Sequence, residues 1–147
     1  MKRSERIDAI RSVAEHEERE YSKRLGAAQQ ALTAATVKLA ELDAYRREYR
    51  ATTVVPSGSS AAAWQEHNRF LQRLDQAVAA QQAIVHEGKA VREKHRRQWM
   101  AKRQRLESLS RAVDRYQGAE RLAQDRRDQR VQDDSAPRQQ PFGKPER

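Results

Sequence analysis

The sequence predicts an all-α fold, a long antiparallel two-helix coiled-coil hairpin, from three observations. Apolar residues recur at the heptad spacing of a coiled coil along most of the chain. Charged residues make up 35% and aromatic residues 5%, so the chain can bury a narrow seam between helices but no multilayered core. One strong break, TTVVPSGSSAAA at residues 52–63, divides two helical runs. We expect one domain over residues 1–134, with helices at about 4–51 and 62–134 and a turn at about 52–61.

The break is predicted from its residue types. The four residues from Thr52 to Val55 are β-branched and continue a helix poorly. Pro56 disfavours the helical conformation at the residue before it. Gly58 and the serines around it form turns, and a serine here is a good cap for the next helix. Because no other strong break interrupts residues 5–134, the chain should reverse direction once.

Alternating steps of four and three residues select a stripe in the first helix. Ten of its thirteen members are apolar or aromatic, which is a strong coiled-coil signal. Arg11, Glu18 and Arg46 interrupt the stripe and are candidates for fixing the register. The members are Ile7, Arg11, Ala14, Glu18, Tyr21, Leu25, Ala28, Leu32, Ala35, Leu39, Leu42, Arg46 and Tyr49.

The second helix continues the stripe in the same phase. It runs from Trp64 to Tyr116, is polar in its middle part between Gln81 and Lys102, and fades beyond Tyr116. The members are Trp64, His67, Leu71, Leu74, Val78, Gln81, Val85, Gly88, Arg92, His95, Trp99, Lys102, Leu106, Leu109, Val113 and Tyr116.

A register follows if the residue numbers of facing positions sum to 113. Leu25 then faces Gly88 and Ala14 faces Trp99, so a small residue meets a large one twice. A slip of one heptad preserves the periodicity, so this register is a prediction that the periodicity alone does not fix.

In this register the two helices are unequal in length. Met1 would lie near Ala112, so residues 113–134 of the second helix would overhang. The free N-terminus and the overhang would form a composite tip, and residues 135–147, which hold three of the four prolines, should be a disordered tail. The apolar members of this tip are Ile7, Ile10, Val113, Tyr116 and Leu122.

Charge and composition bound the function. The formal net charge of +9 favours acidic partners such as nucleic acid, anionic lipid or an acidic protein surface. The chain has no cysteine, so disulfides and thiolate chemistry are excluded. The N-terminus has no apolar segment typical of a signal peptide, and no apolar run approaches the roughly 20 residues that span a bilayer. We therefore expect a cytoplasmic protein.

Catalytic and metal-binding motifs are absent from the sequence. The histidines beside Glu17 and Glu87 do not build the HExxH pattern of a zinc site. Gly88 and Lys89 resemble the end of a phosphate-binding loop only superficially, because Ala90 stands where Ser or Thr is required. A two-helix hairpin also offers no concave pocket for a small-molecule substrate. We expect no catalytic residue, no cofactor and no metal.

A basic belt covers residues 89–105, with eight Lys or Arg residues and one acid, Glu93. It could contact nucleic acid or an acidic protein. The favoured interpretation is a solvated face that Glu15, Glu17, Glu18 and Glu20 partly neutralise, since only Trp99 is available for stacking on bases. The belt residues are Lys89, Arg92, Lys94, Arg96, Arg97, Lys102, Arg103 and Arg105.

Aromatic residues near the turn predict an interface. Tyr45 and Phe70 each lie one position off the seam, so two helices cannot bury them fully. Tyr49, Leu42 and Leu74 complete an apolar cluster around them. Exposed aromatic residues that share a small surface usually mark an interaction site. The alternative is that they widen the seam beside the turn.

Several stretches, in their order and spacing, resemble the FliJ family of flagellar type III export proteins. They are LDAYRREYR at 42–50, the Gly/Ser break, FLQRLDQA at 70–77 after Trp64, WMAKRQRL at 99–106, and DQR at 128–130 followed by Asp133 and Asp134. Each stretch alone is degenerate, as in any coiled coil, but together they cover nearly the whole chain.

The resemblance implies a non-enzymatic, chaperone-like coiled coil similar to the central stalk of rotary ATPases. It would be cytoplasmic and peripheral to the inner membrane at the flagellar base. It would bind the hexameric export ATPase, the export gate membrane protein and export chaperones, and so promote ATPase assembly, flagellar protein export, motility and chemotaxis. The gate-binding patch would comprise Leu42, Tyr45, Tyr49, Phe70, Leu74, Ala77 and Gln81.

We expect the composite tip to engage the ATPase ring, as the end of a stalk would. Two alternatives remain open. One is the equivalent stalk of a virulence-type III secretion system, and the other is a basic coiled-coil protein that binds nucleic acid. Binding lost uniformly with rising salt, without preference for an ATPase, would favour nucleic acid, which is the less favoured partner.

Overall fold

The fold, a computed structural model, is described for residues 1–52 and 55–135. It consists of α1 (Arg3–Thr52) and α2 (Ala61–Ser135), and no strand occurs in these ranges. The prediction of an all-α fold with two long helices is confirmed. The predicted disordered tail at 135–147 lies outside the described residues except for Ser135, which ends α2.

The turn forms as its residue types require. Gly58 has a φ of +87°, in the left-handed region that glycine adopts without a steric penalty. The Ser59 backbone N–H donates to the Pro56 carbonyl oxygen at 3.1 Å. The Ser60 hydroxyl oxygen accepts a hydrogen bond from the Ala63 N–H at 3.3 Å, which caps the first turn of α2.

The helices form two compact units, which we describe separately. Unit 1 comprises Met1–Val13 and Leu106–Arg147, of which residues up to Ser135 are described, and unit 2 comprises Ala14–Arg105. Each unit contains one segment of α1 and one segment of α2.

Unit 2 has a narrow apolar seam between its two helical segments. Its buried side chains lie at the predicted stripe positions, and burial of each larger one contributes roughly 1.5–3 kcal/mol to folding. The one buried polar member, Gln81, is satisfied because its Nε2 donates to the backbone carbonyl of Ala35 at 2.9 Å. The buried apolar members are Ala14, Leu32, Leu74, Val78 and Val85.

The predicted register is wrong by one heptad. Gly88 packs against Leu32 instead of Leu25, and a Cβ at Gly88 would lie 3.3 Å from Leu32 Cδ1. Trp99 does not face Ala14 but donates its indole N–H to Glu18 Oε1 at 2.8 Å. The numbers of Leu32 and Gly88 sum to 120, seven more than predicted. The error arises because a slip of one heptad keeps every seam residue in the seam.

Unit 1 is closed by polar contacts at the start of α1. The carboxylate of Glu120 accepts hydrogen bonds from the Ser4 backbone N–H at 3.1 Å and from its hydroxyl at 2.5 Å. The Arg3 guanidinium lies 5.0 Å from the centre of the Tyr116 ring, and Val113 is buried. A carboxylate at a helix N-terminus satisfies an unpaired N–H and is favoured by the helix dipole.

These contacts also correct the predicted overhang. The start of α1 lies beside Glu120 and Tyr116, whereas the sequence register placed Met1 near Ala112. The overhang is therefore shorter than the predicted 113–134. From residue 124 to residue 135 every side chain of α2 is exposed.

Candidate interaction surfaces

An aromatic cluster lies beside the turn in unit 2, with Tyr49 at its centre. The Tyr49 ring lies 4.6 Å from the Phe70 ring and 6.5 Å from the Tyr45 ring, measured between ring centroids. It also stacks on His67 at 5.5 Å, and its hydroxyl lies 3.3 Å from His67 Nδ1. The structure thus brings side chains of α1 and α2 into one group, as the sequence indicated.

The seven predicted gate-patch residues are not equally accessible. Tyr45 is 50% exposed, whereas Leu74 and Gln81 are only 8% and 4% exposed because they belong to the seam. A partner cannot touch these two without separating the helices, so they can only hold their neighbours in place. The remaining members, which are half-buried, are Leu42, Tyr49, Phe70 and Ala77.

Two aromatic residues of the cluster were not among the predicted site residues. Trp64 is 50% exposed, and its ring meets His67 edge-on at 6.5 Å. Trp64, His67 and Phe70 are each three residues apart, a spacing that places side chains on one side of a helix. That spacing is visible in the sequence and could have predicted that Trp64 and His67 belong to the cluster. A shallow depression of about 430 Å³ lies here, lined by Tyr49, Ala63, Glu66, His67, Phe70 and Arg73.

The other flank of this helix pair carries an ion-pair network. Arg50 Nη2 lies 2.7 Å from Asp75 Oδ1, and Arg46 binds Asp75 across the helices at 3.4 Å. Arg46 Nη2 also binds Asp43 at 2.7 Å. Arg46 interrupts the predicted stripe and pairs with Asp75 of the other helix. This specific pair favours one register over registers that are shifted along the helix axis.

The predicted tip residues all lie in unit 1, but few are accessible. Val113 is only 4% exposed, and Ile7 and Tyr116 are half-buried. Ile10 and Leu122 are 47% and 59% exposed and are the tip side chains that a partner could contact. Nearby, the hydrogen bond from the Ser4 hydroxyl, together with that from its backbone N–H, lowers the pKa of the Glu120 carboxyl.

Much of the basic belt is engaged within the chain. Arg96 and Arg97 bind Glu93 at 3.0 and 3.3 Å, and the hydrogen bond from Arg96 is the main cause that lowers the pKa of Glu93 to about 2. Lys102 donates to Glu17 at 3.1 Å and lowers the pKa of that carboxyl.

Other belt cations differ in their surroundings. The Arg103 guanidinium lies 5.6 Å from the centre of the Trp99 ring, a cation–π contact. Lys89, Lys94 and Arg105 are exposed. Of the four acids that were predicted to neutralise the belt, Glu17 binds a belt cation, whereas Glu15 and Glu20 bind cations of α1. The interpretation of the belt as a solvated face stays a prediction.

The described residues lack two features that other functions require. No group of three or more His, Asp or Glu side chains in residues 1–52 and 55–135 is placed to hold a metal ion. Neither described helix contains a stretch long and apolar enough to cross a membrane.

Comparison with known proteins decides the family. The sequence profile described as "Flagellar FliJ protein" matches residues 2–140. The chain belongs to the FliJ family. The Flagellar FliJ protein of Salmonella typhi is 26% identical to this FliJ-family chain over 134 residues, which cover 90% of this chain and 91% of the relative. The resemblance predicted from the sequence is confirmed, and FliJ-family membership indicates a flagellar, export-related protein.

Proposed function

We propose that this chain is a non-enzymatic stalk component of the flagellar type III protein export apparatus. It binds the hexameric export ATPase, the export gate membrane protein and export chaperones, and it promotes ATPase assembly and protein export. It works in the cytoplasm, peripheral to the inner membrane at the flagellar base. The observation that carries the proposal is the family match over residues 2–140, on a chain whose described part is a two-helix coiled coil.

The gate-binding surface of this proposal is the aromatic cluster. Tyr45 and Phe70 supply accessible aromatic area, and Tyr49 of α1 contacts both Tyr45 on its own helix and Phe70 on α2. Large aromatic side chains are enriched among residues that dominate binding energy at interfaces. Leu74 and Gln81 contribute by keeping the seam between the two helices closed.

The gate assignment is tested with the double variant Tyr45→Ala/Phe70→Ala. Binding to the purified cytoplasmic domain of the gate protein, measured by calorimetry, should weaken at least about tenfold, the loss expected of interface aromatic anchors. The matched control is Val37→Ala, which truncates an exposed apolar side chain elsewhere on α1. Unchanged binding by the double variant, with helicity intact, would remove the cluster from the gate interface.

The ATPase-binding tip is tested in unit 1. Ile10→Ser/Leu122→Ser removes the two accessible apolar tip side chains while keeping the Ser4–Glu120 contact. We expect this variant to lose its stimulation of ATP hydrolysis by the export ATPase. Val131→Ser, at an exposed position farther along α2, is the control. Full stimulation by the tip variant would show that these side chains do not couple the stalk to the ring.

The stalk proposal as a whole is tested by co-purification. The full chain, used as bait in the cytoplasm of its source, should retain a hexamer-forming ATPase at moderate salt. Retention of nucleic acid instead, lost steeply as salt rises, would contradict the stalk proposal and support the basic coiled-coil alternative.

A further inference from the structure

One flank of α2 in unit 2 carries an exposed apolar row that the proposed sites do not use fully. Phe70, Ala77, Ile84 and Val91 are each seven residues apart, so they lie on one side of the helix. Ile84 is 54% and Val91 37% exposed, while Phe70 and Ala77 are half-buried. The row spans roughly 31 Å at 1.5 Å per residue. Ile84 and Val91 lie beyond the gate patch.

A second row runs beside it, also with seven-residue spacing. It consists of Glu66, Arg73, Ala80, Glu87 and Lys94, all exposed, with charges that alternate around the central alanine. None of these four charged side chains forms an ion pair with another described residue. The opposite flank of α2 behaves differently, because its acids at positions 75 and 93 are bound by arginines.

The charge order of the second row is self-complementary. Read forward it is negative, positive, small, negative, positive, and read backward every charge is replaced by the opposite one. An antiparallel contact between two copies related by a two-fold axis requires a surface of this kind, because one patch must match itself. An interface with an unrelated partner places no such symmetry on the row.

We propose that this flank is the interface of an antiparallel homodimer, with the two-fold axis beside Ala80. Facing positions then have numbers that sum to 160 or 161. Ile84 packs on Ala77 of the second copy, and Val91 packs on Phe70 of the second copy. Glu87 meets Arg73, and Lys94 meets Glu66. The small side chains near the axis allow the helix axes to approach to roughly 8–10 Å.

The charges select this register over its neighbours. A slip of one heptad in one direction places Lys94 opposite Arg73, and a slip in the other direction places Glu87 opposite Glu66. Both pairings bring like charges together, which is unfavourable. The depression lined by Glu66, Phe70 and Arg73 gives room for the side chains that arrive from the second copy.

The proposed contact is modest in size. It runs along residues 66–94 of α2, roughly 42 Å of helix. Interfaces below about 1,200 Å² are characteristic of weak, transient complexes, so we expect a dimer dissociation constant on the order of 10–100 µM. The proposal does not rest on the export function, although a dimer of this kind would cover Phe70 of the gate patch.

Single cysteines test the position of the axis, since the natural chain has none. In Ala80→Cys the new thiol lies on the axis and should form a disulfide between two copies under mild oxidation. The matched control, Ala79→Cys, changes an exposed alanine one residue away, about 100° around the helix. We expect at least tenfold more covalent dimer from Ala80→Cys. Equal yields from the two variants, or no dimer from Ala80→Cys, would overturn the proposal.

Charge reversal tests the register independently. Arg73→Glu and Glu87→Arg each place like charges opposite each other twice in the dimer and should weaken association several-fold in sedimentation equilibrium. The double variant Arg73→Glu/Glu87→Arg restores both pairs. Its dissociation constant should return to within about twofold of that of the natural chain, since exchanging the two charges of an exposed pair changes its small energy little. Circular dichroism confirms that each variant is helical. Association unaffected by single reversals, or not restored by the double variant, would refute this register.

Discussion

In unit 2 the two helices are joined by a seam of buried apolar side chains, which is interrupted by polar residues, whereas in unit 1 a carboxylate holds the start of α1. The seam of unit 2 buries Leu32, Leu74, Val78 and Val85. In unit 1, Val113 is the buried apolar side chain among the described residues, and Ser4 is similarly buried but polar. Where the apolar stripe of the sequence fades, hydrogen bonds to a charged side chain take over its role.

This difference affects how each unit should respond to change. The stabilisation from apolar burial does not depend on the charge state of any residue, and it decreases mainly when side-chain volume is removed. The stabilisation from a hydrogen-bonded carboxylate depends on its ionisation and on the positions of its two donors, here the Ser4 N–H and hydroxyl. We therefore expect unit 1 to open locally at lower free energy than unit 2, which hydrogen exchange would resolve residue by residue.

The largest effect should come from the seam of unit 2. Leu32→Ala removes a side chain that is 5% exposed, and it should lower the free energy of unfolding by about 2–5 kcal/mol in a urea titration. Val37→Ala, in the same helix at a position that is 51% exposed, should change it by less than about 0.5 kcal/mol. Similar losses from both variants would show that this seam is not the main source of stability.

Two glycines give a matched test of how tightly each unit is packed. A Cβ at Gly118 in unit 1 would meet nothing within 4 Å, so Gly118→Ala should raise the free energy of unfolding by about 0.5–1 kcal/mol through helix propensity. In unit 2, a Cβ at Gly88 would lie 3.3 Å from Leu32, so Gly88→Ala should gain less or lose stability. A larger gain at Gly88 than at Gly118 in thermal melts would contradict the observed register.

Acid should weaken unit 1 through Glu120. Its pKa is lowered in the folded state from a reference value of 4.5, so it binds protons less readily there than in the unfolded chain. Its contribution to stability is therefore complete above about pH 4.5 and is lost as the pH falls through the lowered pKa.

The comparison with Glu120→Gln measures this contribution. The natural chain should be more stable than the variant at neutral pH, and the difference should shrink below pH 4.5. Urea titrations over a pH series provide the measurement. A difference that stays constant down to pH 2 would show that the carboxylate charge is not what holds Ser4.

The smallest effect should come from the exposed ion pairs of the basic belt. Glu93→Gln should leave the urea midpoint at neutral pH almost unchanged, because Arg96 and Arg97 lie on the same helix and remain solvated. Carbon-13 titration of the natural chain should nevertheless show a Glu93 pKa below the reference value of 4.5, because the hydrogen bond from Arg96 stabilises the ionised carboxylate. A pKa for Glu93 that is not lowered would mean that these contacts do not persist in solution.

The sequence predicted the two helices, the turn and the family, because composition, periodicity and motif order each carry that information directly. It could not choose between registers one heptad apart, since the same residues stay in the seam. The deciding contacts are specific polar ones, such as Arg46 with Asp75, Trp99 with Glu18 and Ser4 with Glu120. Several partners are compatible with each of these side chains when only the sequence is known.

The candidate gate patch shows a second limit of the sequence. Tyr45, Tyr49 and Phe70 could be grouped correctly because they lie near the turn, where any register brings them close. Leu74 and Gln81 also lie at stripe positions, and the same periodicity that defined the seam indicated that they would be buried. Whether the cluster binds a gate protein stays a prediction.

The contact between Ser4 and Glu120 joins residues that are 116 positions apart, and this has a consequence during synthesis. At 5–20 residues per second, a ribosome takes roughly 6–25 s to reach Glu120 after Ser4 has been made. During that interval the first turn of α1 lacks its capping carboxylate, and α1 lacks the later part of its apolar partner. The nascent helix therefore exposes its seam until α2 emerges, and any factor that binds apolar nascent segments has that time in which to act.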